Sequence, residues 1–182
     1  MSSPSPKLIA IPFAPEMVTT SMVQQFHCGD RPWECEISDW LKREHEGASD
    51  DMTIGGCIVW LFLNQDHVLI GVGAIGPHTI HYPKPNSPKI PTCCITNLGV
   101  DHRHHRKGYG QVILDHLLAE ARERYGEIPI IAYVFVDNPA LTWYTEKNGF
   151  KPFGKPTKTQ YQKIVLDLRS VSTPHDIFPE NP

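Results

Sequence analysis

The chain of 182 residues is 40% apolar and 20% charged, with a formal net charge of −3. These values expect one soluble domain with a substantial core, and the slightly acidic balance argues against general nucleic-acid binding. The longest apolar run, Cys57 to Leu63, is far too short to cross a bilayer, and the N-terminal residues lack a signal-peptide pattern.

In chain order, Lys7 to Phe13 reads as a short strand, which Pro12 confines to an edge. Pro15 to Cys28 reads as a helix with Pro15 in its first turn. Trp33 to Glu46 reads as a second, with Ile37, Trp40 and Leu41 at helical spacing. Cys57 to Leu63 and Val68 to Ile75 make a hairpin around Asn64, Gln65 and Asp66. Gly76 to Pro91 reads as a long, proline-stiffened link. Thr92 to Val100 is the next strand. The helix that follows aligns Ile113, Leu117 and Ala121, with Leu114, Leu118 and Tyr125 beside them. Ile128 to Val136 is near-continuously apolar, as a central strand should be. Asn138 or Asp137 can cap the next helix, with Pro139 in its first turn and Gly149 at its end. Phe153 and Tyr161 to Leu168 supply the last strands. The single domain is expected over 1–169, with a loose tail at 170–182.

The five cysteines, Cys28, Cys35, Cys57, Cys93 and Cys94, are odd in number and form no C-x-x-C pair. They read as reduced thiols of a cytoplasmic or nuclear protein.

The most informative joint is Arg106-Lys107-Gly108-Tyr109-Gly110, between a strand end and a helix start. Backbone N–H groups without helical partners, the helix dipole and glycines that allow close approach make such a joint an anion site. Lys107, Arg106 and Arg103 add charge. No Walker Gly-Lys-Ser/Thr ending is present, and Ile113 stands where a dinucleotide fingerprint needs its third glycine.

A second segment, IIAYVFVDNPALTWYTEKNGF over 130–150, follows at a suitable distance. Together the two resemble the GNAT superfamily of acyl-CoA-dependent N-acyltransferases. Leu98, Gly99 and Val100 match the family's strand end, and Gly108 and Gly110 match its Q/R-x-x-G-x-G/A loop. Gly149 and Phe150 close the second helix. The resemblance implies an α/β (α+β) GNAT fold: a central mixed, mostly antiparallel sheet flanked by helices, in the order β-α-α-β-β-β-α-β-α-β-β. It implies acetyl-CoA as cosubstrate. No metal is expected, because the spacing of His102, His104 and His105 matches no tetrahedral motif. The cofactor site is then Leu98, Gly99, Val100, His105, Arg106, Lys107, Gly108, Tyr109, Gly110, Gln111, Asn138 and Tyr144.

Two positions depart from the family pattern. His105 stands where Gln or Arg is usual. An imidazole can donate a hydrogen bond but is charged only in acid, which expects some pH dependence of CoA affinity. The family's N-x-x-A-x-x-x-Y helix aligns in two ways. Starting at Asn138 it puts Thr145 in the Tyr position; starting at Asp137 it puts Ala140, Leu141 and Tyr144 in register, with one residue inserted before Gly149. The second alignment satisfies more positions and makes Tyr144 the candidate acid.

Amide formation from an alkyl ammonium needs a base, a water relay or a desolvated pocket, because its pKa lies near ~10. Many relatives carry a Glu on the strand before the loop. Thr92 to Asn97 has no carboxylate, which leaves His78 and His81, beside Tyr82, as candidate bases acting alone or through water, with Asp101 and His102 as alternatives nearer the phosphates. A covalent role for Cys93 or Cys94 is disfavoured, since strand cysteines are usually core. The acids between Asp30 and Asp51 border the acceptor side in GNAT proteins and could attract an amine.

The expected activity is acetyl transfer to a primary amine of a small molecule, by a monomer or homodimer with no nucleic-acid or membrane partner. A protein N-terminus or lysine is the second acceptor class. The alternative of another kind is a CoA-binding regulatory domain without turnover.

Overall fold

The computed structural model describes residues 6–46, 56–81 and 89–167. Seven strands form one sheet: β1 (Ile9–Pro12), β2 (Ile58–Leu63), β3 (Leu69–His81), β4 (Lys89–Val100), β5 (Ile130–Phe135), β6 (Lys151–Pro152) and β7 (Tyr161–Leu166). Their spatial order is β1-β2-β3-β4-β5-β7-β6. Every pair is antiparallel except β4–β5. The helices are α1 (Thr20–Gln25), α2 (Pro32–His45), α3 (Tyr109–Tyr125) and the short α4 (Ala140–Thr142), which runs into a π turn at Trp143–Lys147. This is the element order and mixed α/β class expected from the sequence.

The two faces of the sheet carry separate cores. On one, Ile113, Leu114 and Leu117 of α3 meet Trp60, Phe62, Ile95, Ile130 and Ile164. α3 can lie close because β3 carries glycine beneath it: a Cβ at Gly73 would sit 3.1 Å from Leu117 Cδ1 and 3.2 Å from Ile113 Cγ2. On the other face, Val23, Trp40 and Leu41 of α1 and α2 meet Leu61, Val72 and Ala74.

Three local expectations are corrected. The helix expected over Pro15 to Cys28 is a 3-10 turn at Pro15–Met17 followed by α1. Thr19 is extended (ψ 150°) and its hydroxyl accepts from the Met22 N–H, so it caps a new helix. The link read from Gly76 to Pro91 is mostly a β ribbon, pairing Gly76 with Cys94 through to His81 with Lys89. Pro77 and Pro91 lie beyond the ends of the β2 and β5 pairings, where a missing N–H removes no further ladder bond. The third is the helix closed by Gly149: its α portion is one short turn, and the rest is π.

Tyr82 and the expected tail at 170–182 lie outside the described residues, as does the side chain of His81. Among the described residues no helix is long and apolar enough to cross a membrane.

Candidate active site

The site is created where two parallel strands part. β4 and β5 pair only from Cys93–Ile130 to Ile95–Ala132. Beyond that point β5 stays with β7 and β4 stays with β3. A register shift opposite Ala74 and Ile75 leaves Thr96 as the extra residue on β4, the kind of bulge that bends a strand. The gap between the strands is a cavity of about 250 Å³, walled by Thr96, Asn97 and Leu98 on one side and Tyr133, Val134 and Phe135 on the other.

A second cavity of about 250 Å³ continues from it toward the loop, past Leu98, Gly99 and Val100 to His105, Arg106, Gly108, Tyr109 and Gly110. Trp33, Ile37, Leu98, Asn138, Ala140 and Trp143 border both cavities, so the two form one trough. Gly99 lets α2 close over it: a Cβ there would lie 2.7 Å from Ile37 Cγ2 and 2.9 Å from Cys28 Sγ.

The loop is anchored from beneath by Asp101, whose side chain is fully buried. Its carboxylate accepts from Arg103 Nε at 2.8 Å, Arg103 Nη2 at 2.9 Å, and the N–H groups of Arg103 and His27. Burial alone would raise its pKa; the hydrogen bonds from Arg103 and those N–H groups outweigh it and hold the carboxyl below its ordinary value. Arg103 also donates to the Gln25 carbonyl.

Arg103 is therefore a brace, not a free phosphate ligand as the sequence suggested. Lys107 likewise folds back, donating to the Arg103 carbonyl at 2.9 Å. Arg106 (φ 60°) and Gly108 (φ 83°) take the left-handed turns that aim the chain into α3. The first helical bond runs from the Gln111 N–H to the Gly108 carbonyl, so the Tyr109 and Gly110 N–H groups precede the helical ladder.

The loop histidines do not converge. His102 Nδ1 bonds the His27 carbonyl, His104 meets Tyr109 edge-on at 5.8 Å, and His105 Nε2 lies 2.9 Å from the Val100 carbonyl. His105 thus ties the loop to the end of β4. Gln111 is a joint as well, donating to Asn148 at 2.8 Å and to Asp115.

The π turn decides which residue of the second helix faces the trough. The Asn138 side chain caps that helix, accepting from the Ala140 N–H at 2.9 Å. A π turn holds one residue more than an α turn, and this is the insertion that the alignment through Tyr144 requires. Tyr144 is 5% exposed, borders the inter-strand cavity, and packs against Trp143 and Phe150. Burial pushes its hydroxyl above the ordinary phenol value, so it stays protonated and able to donate. Thr145 instead returns its hydroxyl to the Leu141 carbonyl at 3.0 Å.

His78 borders neither cavity; its Nε2 lies 3.4 Å from the Tyr133 hydroxyl. The site also holds a residue that the sequence offered only as one of several acids. Glu36 of α2 borders the inter-strand cavity, and both its oxygens accept from the Tyr161 hydroxyl at 3.0 Å. Its position one residue before Ile37, on a helix expected to border the acceptor, was the available signal. Cys28, Cys93 and Cys94 are pushed up to about 12 by burial and stay thiols at neutral pH. Among the described residues no three His, Cys, Asp or Glu converge to hold a metal ion.

A split parallel pair, a glycine-turned loop at a helix start and a buried tyrosine beside the split define an acetyl-CoA-dependent N-acetyltransferase. The sequence pattern of the acetyltransferase (GNAT) family matches residues 22–150, and the chain belongs to that family. No curated protein sequence matches it significantly. Solved structures of the same fold include AtaTR bound with acetyl-CoA, at 15% identity and a TM-score of 0.68, covering 90% of this chain and 95% of that one. AtaT complexed with acetyl-methionyl-tRNAfMet gives 12%, 0.65, 91% and 97%. A KacTA–DNA complex gives 12%, 0.63, 90% and 95%.

These structures overturn the expected partner set of a small-molecule amine and no nucleic acid: AtaT is complexed with acetyl-methionyl-tRNAfMet, and KacTA is in a complex with DNA. The reasoning failed because a net charge of −3 is a sum over the whole chain. Between Glu146 and Lys163 the chain carries Lys147, Lys151, Lys155, Lys158 and Lys163 against the single acid Glu146.

Proposed function

We propose that the protein transfers the acetyl group of acetyl-CoA directly to a primary amine, the α-amine of an aminoacyl-tRNA. The observation that carries the reading is the single trough running from the α3 start through the β4–β5 split. The pyrophosphate is held at the N–H groups of Tyr109 and Gly110, with Arg106 beside them. The pantetheine arm lies along the edge of β4 that β5 leaves open at Leu98, Gly99 and Val100, where its amides replace the missing ladder bonds. The thioester carbonyl meets a backbone N–H near Leu98 or Gly99. Tyr144 protonates the leaving thiolate, whose pKa near ~8.5 is within reach of a phenol.

The acceptor assignment is supported by charge. Lys163 lies 5.4 Å over the Tyr133 ring, which walls the cavity, and Lys147, Lys151, Lys155 and Lys158 of the same chain segment are exposed. Exposed lysines together with the Glu36 carboxylate at the cavity suit a molecule with phosphates behind a terminal ammonium. The free thiols suit the cytoplasm, where charged tRNA is found.

The test is incubation with labelled acetyl-CoA and, in parallel, bulk aminoacyl-tRNA, uncharged tRNA and lysine-containing peptides. Acid-precipitable label that needs aminoacylation and is lost to ribonuclease is the expected result. Label in the peptides alone overturns the acceptor; CoA release with none of them overturns the enzyme reading.

A further inference from the structure

The trough needs a proton acceptor, because an α-ammonium with a pKa of ~8 is mostly protonated at neutral pH. Among the described residues bordering the inter-strand cavity, Glu36 is the one carboxylate, and none is a histidine. Glu36 is solvent-exposed, so a proton it takes can leave to water. It is nevertheless held in place. The Tyr161 hydroxyl donates to both its oxygens at 3.0 Å, a strap from α2 to β7 across 125 residues of chain. The wall beside it is aromatic: Trp33 lies on Phe135 with centroids 5.2 Å apart and planes at 24°, and Phe135 meets Tyr161 edge-on at 5.5 Å. A carboxylate among aromatic faces is a setting that favours an ammonium.

We propose that Glu36 binds the acceptor ammonium and removes its first proton, with Tyr161 as the residue that positions the carboxylate. This assignment rests on the reading of the inter-strand cavity as the acceptor site. Glu36 takes one proton from the ammonium. The neutral amine attacks the thioester carbonyl carbon, the C–N bond forms, and the carbonyl pair moves to oxygen. When that pair returns, the C–S bond breaks, and the sulfur takes the Tyr144 proton. The nitrogen of the adduct gives up its second proton to restore Tyr144, and Glu36 releases the first to water. The products are the acetamide, CoA as thiol and one proton, with no further reactant.

Among the described residues, the titratable groups that share the cavity wall with Glu36 are few. β7 brings Tyr161, β5 brings Tyr133 with Lys163 over its ring, and α4 with its π turn brings Tyr144. On α2 itself, Glu34 borders the neighbouring cavity, while Arg31, just before the helix, lies 5.6 Å over the Trp33 ring.

The test is Glu36→Gln, assayed by initial rates over pH 6 to about pH 9 with bulk aminoacyl-tRNA and lysine-containing peptides as acceptor probes, and by calorimetric titration with acetyl-CoA. The expected result is an acetyl-CoA affinity equal to wild type and a kcat/KM lower by about 100-fold at neutral pH. The deficit should shrink to about tenfold or less once the pH exceeds the acceptor's own pKa. A role in packing alone would lower the rate by a constant factor across pH. Tyr161→Phe should raise KM more than it lowers kcat. Wild-type transfer with an unchanged or pH-independent Glu36→Gln deficit overturns this assignment alone. No transfer by the wild type to either probe overturns the reading of the cavity, and this assignment with it.

Discussion

Gly110 separates the demands of the fold from those of the ligand. It is the second residue of α3, it borders the loop end of the trough, and a Cβ built there meets nothing within 4 Å. The apo fold therefore does not require glycine. Gly110→Asp replaces the poorest non-proline helix former with a residue whose charge favours a helix N-terminus. Together these gains amount to roughly 0.5–1.5 kcal/mol, or about 1–6 °C in Tm for a chain of this size. The same charge sits where the pyrophosphate is proposed to bind. At ~6 Å and an effective dielectric of ~20, one phosphate charge repels it by about 3 kcal/mol, or roughly 100-fold in Kd. Thermal melting and calorimetric titration with acetyl-CoA on one sample should move in opposite directions. Gly110→Asn, similar in shape without the charge, should lose far less affinity. A more stable Gly110→Asp protein with wild-type affinity would refute the phosphate site, and a less stable one would refute the open space.

Tyr144→Phe should lower kcat by ~10²–10⁴-fold with acetyl-CoA affinity retained, while Thr145→Val keeps near-wild-type turnover; steady-state kinetics of both variants checks the choice that the π turn makes. Gly99→Ala should cost about 1–3 kcal/mol in denaturant unfolding, because its Cβ overlaps Ile37 and Cys28. His116 sits edge-on to Trp60 and Phe62, at 5.4 and 5.2 Å, and its burial lowers its pKa despite Glu120 nearby. The unfolded chain then takes up that proton first as pH falls. His116's contribution is complete above about pH 6.5 and is lost as pH drops through the lower folded value. Melting temperature should decline over that window in wild type and less steeply in His116→Gln.

The elements and their order were legible because each carries a local signal. The apolar spacing of α3, the run in β5 and the glycines around Tyr109 owe their meaning to backbone geometry within a few residues. The loop's glycine-turned entry into α3 was readable for the same reason, since two glycines and a helix start are contiguous in the chain. The roles of single side chains were not readable. Arg103 and Lys107 looked like phosphate ligands in sequence, and only the buried Asp101 and the turn of the backbone show that both are tied to the loop itself. The sequence favoured the alignment through Tyr144 by the number of matched positions, but only the π turn shows how the chain takes up the extra residue, with Tyr144 buried and Thr145 bonded to its own helix. Gly76 to Pro91 read as a loop because prolines punctuate it, yet much of it pairs as a ribbon, since proline is costly only where a ladder bond is owed. Glu36 and Tyr161 lie 125 residues apart. No local pattern links them, and their meeting depends on α2 crossing the point where β4 and β5 separate, a contact that only the packed sheet creates.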